Sequence, residues 1–470
     1  MLQNVLKISK TLLKSGIIYI EECYNYIKGS DRVFTYLKVK NYKSLSNVEM
    51  NLLDKGNKPK KLAILYGENG AGKSNLSNIF YTLAETLRTM SIRNIIQEYL
   101  ERDGEEKPEE IIEFIKNNFK DTERIIKTTK MINSKENMVL EYGFVIGNEK
   151  GNYILEMDNE KIVREELYFT LDKNKGYYFK IAGNDNIKLN ERVFITKDYY
   201  NETMKNIEKF WGKHSLLSIL MNEIEDKTDG YVEKQLNKNL FRVIEFLNDF
   251  ACLVKIGNKV ERGKIGYLSN LLYDLDKGKI SINKKDILIK TEELLNEFFT
   301  SLYADIKQVF YNIEEDEQEI KYKLVFRKMI NNEIMDVDFS VESTGTQQLL
   351  TLLPFILSAI DGKTVIIDEF DSGIHDLLVK NLLTSIYDSI RGQLIMTTHN
   401  TLIMESNIDK NSLYVISVNK DGIKEIKCIS EMEGRIQRNN NIRNRYLGGL
   451  YNGIPSMMYV DFEDLLDILE

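Results

Sequence analysis

The sequence predicts an α/β fold in which a mixed central sheet carries an antiparallel β-subdomain and a helical insertion lobe, and three observations predict it. Residues 67–74 read Gly-Glu-Asn-Gly-Ala-Gly-Lys-Ser, entered by the apolar run Leu62-Ala63-Ile64-Leu65 and left through a helix-like stretch from Asn75 to Thr82. A second short apolar run, Val365-Ile366-Ile367, ends in two carboxylates, Asp368 and Glu369. Between the two, residues 138–194 alternate apolar and polar with Gly, Asn and Asp turns, whereas 196–306 reads at helical spacing.

The first segment has the spacing, the preceding strand and the following helix of a phosphate-binding loop. Gly67, Gly70 and Gly72 let backbone N–H groups turn inward around a β-phosphate, Lys73 supplies a cation, and Ser74 supplies a hydroxyl for magnesium. Asn69 and Asn75 complete the candidate ATP-binding set, and ATP with Mg2+ is the ligand this chemistry calls for.

Three elements follow far downstream. Ser343-Thr344-Gly345-Thr346-Gln347-Gln348 opens a long apolar helix, the Asp368-Glu369 pair ends its strand, and Leu394-Ile395-Met396 leads into Thr397-Thr398-His399-Asn400. This order, Walker A, signature, Walker B and switch histidine, resembles the ABC-type ATPases, and a P-loop NTPase of ABC-ATPase type is the fold it implies. In that arrangement ATP is hydrolysed between two copies joined head to tail. Asp368 holds magnesium, Glu369 polarises the attacking water, and His399 touches the γ-phosphate. Ser343 and the Gly345 N–H, at a helix start, bind the γ-phosphate carried by the opposite copy. Where the usual signature is Leu-Ser-Gly-Gly-Gln, this chain has Glu342-Ser343-Thr344-Gly345-Thr346, so Ser343 also reads as a plain helix cap. Of the other histidines, His375 follows Walker B in a loop that reads equally as capping or functional, and His214 beside Trp211 reads as packing or surface.

In chain order, residues 1–30 read as a helical segment and 31–195 as a first ATPase lobe with Walker A and the antiparallel strands. The phrase Asn41-Tyr42-Lys43-Ser44-Leu45 within that lobe resembles the opening strands of RecF/SMC-like ATPases. Residues 86–135 read as charged helix broken at Pro108, and 196–306 as a helical insertion or lid with helices at 232–250 and 286–306. The second lobe spans 307–430, with strands at 308–326 and 335–341 before the signature, and 431–470 forms a tail.

Composition sets further bounds. A net charge of −8 and a pI near 5.4 give no global basic field, so nucleic-acid contact would be local. Two local basic clusters keep it open: Lys55, Lys58, Lys60 and Lys61, and Arg435, Arg438, Arg443 and Arg445. Cys23, Cys252 and Cys428 have no metal-ligand spacing, which suits a reducing cytoplasm. No apolar run is long enough to span a bilayer, so no membrane contact is expected.

The segment between Ser74 and Ser343 takes up more than half of the chain and shows no heptad run of the length SMC arms need. What remains resembles the AAA-family ATPases with ABC-type signatures of bacterial anti-phage systems, the OLD, RloC and AriA-like group, including a similar tail from Arg443 to Pro455. The stretch after His399 is too short for the TOPRIM nuclease of OLD proteins, and Asp461, Glu463, Asp464 and Asp467 have helical rather than metal-cage spacing. The resemblance therefore implies a sensor or regulatory ATPase that controls a separate effector protein. A RecF-like ATPase that holds DNA and an ABC ATPase used as a generic motor are the alternatives.

Overall fold

The computed structural model describes residues 32–101, 120–183, 185–227, 230–255, 262–266, 271–432, 441–454 and 462–468. Strands β1 (Arg32–Tyr42) and β2 (Leu45–Asn51) form an opening hairpin, and β3 (Leu62–Tyr66) enters the glycine-rich loop, which leads into α1 (Lys73–Leu87) and α2 (Thr89–Glu101). After α3 (Thr122–Thr129) come β4 (Met138–Ile146), β5 (Glu149–Met157), β6 (Ile162–Leu171), β7 (Asn174–Ala182) and β8 (Ile187–Leu189). Helices α4 (Lys197–Phe210), α5 (Leu216–Asp226) and α6 (Lys238–Asn248) precede β9 (Ala251–Lys255) and β10 (Arg262–Ile265). Then β11 (Lys277–Ser281), α7 (Lys285–Leu302), β12 (Ile306–Glu315), β13 (Glu319–Ile330) and β14 (Glu333–Asp338) lead to the long helix α8 (Thr344–Asp361). The chain continues through β15 (Thr364–Ile367), α9 (Asp376–Tyr387), β16 (Gln393–Thr397), β17 (Leu413–Val418) and β18 (Lys424–Cys428). Three short helices follow, α10 (Ile429–Met432), α11 (Ile442–Leu447) and α12 (Phe462–Asp467).

The central sheet runs β10-β9-β15-β16-β3-β17-β18, parallel from β9 to β17 with an antiparallel strand at each edge. Its inner strands read as unbroken apolar runs because both of their faces are covered. Successive side chains alternate between two cores. Ala63, Leu65 and Ile366 point into the core under the antiparallel sheet β2-β1-β4-β5-β6-β7-β8, whereas Leu62, Ile64, Val365 and Ile367 point into the core built with α7, α8 and the smaller sheet. That smaller sheet pairs β13 with β11, β12 and β14. The mixed central sheet and the antiparallel subdomain thus stand as the sequence predicts.

Two buried polar groups tie the layers together. Gln393 at the start of β16 donates to the carbonyls of Phe34 at 2.9 Å and Lys60 at 3.0 Å, and accepts from the Phe34 N–H at 3.0 Å. Glu165 on β6 accepts from Tyr153, from Trp211 Nε1 and from the Leu216 N–H at the start of α5, at 2.8, 2.8 and 2.7 Å. Burial pushes its carboxyl above the usual range while these donors pull it back. His214 is packing: it is buried against the Thr89 hydroxyl, and desolvation holds its imidazole near pKa 4.

The stretch 196–306 differs from the expectation of an all-helical insertion. Helices α4 to α7 are present, but 232–250 is helical only from Lys238, and 286–306 is helical only to Leu302. Three strands interrupt the stretch, and β9 is no insertion at all, since it lies beside β15 within the central sheet. Ala251-Cys252-Leu253-Val254 follows an amphipathic helix directly, and a four-residue apolar run cannot be told from helix continuation by periodicity. The expected N-terminal helix 1–30 and the break at Pro108 lie outside the described residues.

Replacing Gln393 with Leu keeps its volume and orphans three buried backbone groups. Urea unfolding of Q393L should show a loss of about 3 kcal/mol; a loss under about 1 kcal/mol would mean the two sheets are not joined through this amide.

Candidate functional site

Parallel strands end at one edge of the central sheet, and the glycine-rich loop, the start of α1, the Asp368-Glu369 pair and His399 lie beyond that edge. From β3 the chain passes through Gly67 to Gly72 into α1, with Asn69 and Gly70 exposed at the loop apex. Gly72 caps α1 with φ 110°, a left-handed conformation that only glycine adopts without strain. This turn leaves the first N–H groups of a long helix pointing into the loop. Lys73 is buried, and its ammonium donates to the carbonyls of Gly67 at 2.8 Å and Glu68 at 3.0 Å. Burial lowers its pKa, while Asp368, Glu369 and Asp371 nearby raise it, so all three carboxylates share one field with the lysine. Ser74 accepts at its carbonyl from Asn78, and Asn75 donates to the Ser44 hydroxyl at 2.7 Å.

On the neighbouring strand, Thr397 at the end of β16 holds the Asp368 carboxylate and the Glu369 backbone. Its hydroxyl donates to Asp368 Oδ1 at 2.6 Å and accepts the Glu369 N–H at 2.8 Å. Glu369 takes φ 51°, uncommon for a residue with a side chain, which turns it away from the strand direction. Its carboxylate forms an ion pair with Lys255 at the end of β9. Asp368 is fully buried, and its Oδ2 has no hydrogen-bond partner. An unpaired buried carboxylate oxygen is costly in isolation and fits a hard cation.

His399 lies on the same edge, where its N–H donates to Asp371 Oδ2 at 3.0 Å. Desolvation, then the Lys73 cation, hold its imidazole below the usual value, so the ring is neutral at pH 7. The signature residues sit elsewhere. Ser343 caps α8, its hydroxyl accepting the Thr346 N–H at 3.2 Å, and its side-chain bonds stay within its own helix. A Cβ on Gly345 would lie 2.7 Å from the Gly373 carbonyl, so glycine is required where α8 meets the loop after Walker B. His375 in that loop caps α9 by accepting the Leu377 N–H at 3.3 Å.

Sequence reasoning missed Lys255, Ser44 and Lys424. Lys424 on β18 reaches into the glycine-rich loop and donates to Ser44 Oγ at 2.6 Å and the Gly70 carbonyl at 3.1 Å. A lone lysine on an edge strand carries no signal for this contact, whereas Ser44 lies in the quoted Asn41–Leu45 phrase. The tail packs beneath the site: Tyr446 meets the ring of Tyr66 at 5.8 Å and donates to the Gly453 carbonyl at 2.9 Å.

The first basic cluster is smaller than the sequence suggests. Lys60 is buried and donates to the Tyr414 hydroxyl at 2.7 Å, which leaves Lys55, Lys58 and Lys61 exposed. In the second, Arg443 is paired with Glu405 at 3.1 Å, and Arg435 and Arg438 lie outside the described residues. Among the described residues no group of three His, Cys, Asp or Glu side chains has metal-site geometry of its own, and no helix is long and apolar enough to cross a membrane.

Known proteins resemble this chain along most of its length. An ATP/GTP phosphatase of Helicobacter pylori (strain ATCC 700392 / 26695) is 21% identical over 376 residues, 78% of this chain and 86% of that protein. Among solved structures, the SMC head domain from Thermotoga maritima is 15% identical, with 85% of this chain and 99% of that chain covered and a TM-score of 0.35. An Smc head domain from Pyrococcus furiosus is 13% identical, with 84% and 96% covered and a TM-score of 0.38. The recombination mediator protein RecF is 12% identical, with 85% and 99% covered and a TM-score of 0.35. Residues 62–405, well over half of the chain, match the family described as "AAA domain, putative AbiEii toxin, Type IV TA system", and the chain belongs to that family.

Proposed function

We propose that two copies of this P-loop ATPase close head to tail around ATP and hydrolyse it, and that the chain is the sensor or regulatory subunit of an anti-phage, abortive-infection system controlling a separate effector. The observation that carries the chemistry is the Thr397 hydroxyl joining the Asp368 carboxylate to the Glu369 backbone, with the second Asp368 oxygen buried and left over. The loop N–H groups from Gly67 to Lys73, with Asn69 and Asn75 alongside, bind the phosphates, and the Lys73 ammonium turns from its carbonyl partners to the β- and γ-phosphate oxygens. Ser74 and Asp368 hold magnesium, which neutralises phosphate charge when bound. Glu369 polarises the attacking water, and the His399 ring hydrogen-bonds to the γ-phosphate.

The second copy supplies what one chain lacks. Ser343 and Thr344 are exposed at the N-terminus of α8, whose dipole favours an anion. Exposed apolar side chains lie nearby in the chain on both contacting segments: Val341 before Ser343 keeps 72% of its surface, and Leu377 after the Gly373 loop keeps 53%. A partner carrying ATP would cover both. The regulatory half of the proposal draws support from the family's description as a toxin of toxin–antitoxin systems, and the free, buried thiols Cys252 and Cys428 suit a cytoplasmic setting. The same description favours a second reading, in which the toxic activity belongs to this chain itself.

Glu369→Gln should keep ATP affinity and lose about 100-fold or more in turnover, whereas Lys73→Ala should weaken ATP binding itself. Equal hydrolysis by E369Q and wild type would remove Glu369 from the chemistry. Expression of the chain alone should leave cells growing, and toxicity should require both a neighbouring gene product and an intact Lys73. Killing by the chain alone, undiminished by K73A, would favour the second reading.

A further inference from the structure

The pairing of β9 with β15 sets Ala251 against Val365, Cys252 against Ile366 and Leu253 against Ile367. The Asp368 N–H extends that ladder by donating to the Leu253 carbonyl at 2.8 Å. Both strands therefore run out at the same edge, and Lys255 arrives beside Glu369 with its ammonium on Oε2 of that carboxylate. The Lys255 backbone is anchored as well. Asn78 of α1 donates to its carbonyl at 3.1 Å and to the Ser74 carbonyl at 2.7 Å, so one amide links this strand end to the residue after Lys73.

We propose that Lys255 is a positioning residue for ATP hydrolysis, holding the Glu369 carboxylate by Oε2 so that Oε1 is presented to the attacking water. The proposal rests on the reading of Glu369 as the group that polarises this water. Glu369 has its backbone pinned by the Thr397 hydroxyl, so the remaining freedom lies in its side-chain torsions. The Lys255 contact removes that freedom. An ionised carboxylate has about four acceptor sites, so one oxygen can keep the ammonium while the other takes a water proton. Side-chain exposures of 39% for Lys255 and 23% for Glu369 leave room for a water at the pair. A pair this exposed adds little stability, so a purely structural role predicts almost no effect on turnover.

The test compares K255M, K255R, E369Q and K255M/E369Q in steady-state ATP hydrolysis, with ATP binding followed by titration of a fluorescent ATP analogue. The proposal expects K255M to lower kcat threefold or more, to about tenfold, with analogue affinity kept, because a misaligned base costs rate rather than binding. K255R should recover most of the rate, and in the E369Q background K255M should have no further effect. A kcat in K255M that is higher than wild type or reduced less than threefold would overturn the proposal. So would an Arg variant no better than Met, or an equal further fall on top of E369Q. Hydrolysis by E369Q at the wild-type rate would instead sink the reading of Glu369 itself, whatever K255M does.

Discussion

The Thr397 hydroxyl is the contact on which the site's geometry depends. It donates to Asp368 and accepts from the backbone of Glu369, so one oxygen on one strand holds the carboxylate of one residue and the backbone of the next on the neighbouring strand. Without the first bond, a fully buried Asp368 would have both oxygens unpaired; with it, one oxygen is satisfied and one is unpaired. The second helps to offset the left-handed backbone of Glu369, a conformation that costs about 1–2 kcal/mol for a residue with a side chain. The parallel register of β15 against β16 makes both bonds geometrically available.

That register is itself a product of burial. The strands of the central sheet feed two cores in alternation, so a slip of one residue would exchange the contents of both. Gln393 pins the start of β16 to the antiparallel sheet, and Thr397 at its end pins the chemistry. Rigid elements thus hold Lys73, Asp368 and Glu369, while α8 and the loop around Gly373 present an exposed surface. Lys424, Ser44 and Tyr446 extend the support to the outer strand, the opening hairpin and the tail, so the glycine-rich loop is braced from three sides.

Much of this was legible in the sequence because the chemistry requires fixed spacing. The glycine-rich loop, the Asp368-Glu369 pair and the strand before His399 are each a short apolar run ending in polar residues, and each run is a buried strand. The antiparallel strands from Met138 to Leu189 were legible from alternation. What escaped were contacts between segments distant in sequence. β9 looks like the end of a helix, Lys60 looks like part of a basic cluster, and Lys255 and Lys424 look like any surface lysine. Only the pairing of strands more than a hundred residues apart reveals that Lys255 meets Glu369.

The central claim is that one chain's α8 completes the ATP site of another, and mixing two disabled variants tests it most directly. Lys73→Ala spoils the glycine-rich loop but keeps Ser343, whereas Ser343→Arg spoils the signature but keeps Lys73. Each alone should be inactive, and mixing them should restore ATP hydrolysis through heterodimers that carry one intact composite site. Full activity in S343R alone, or no recovery on mixing two well-folded variants, would contradict the account.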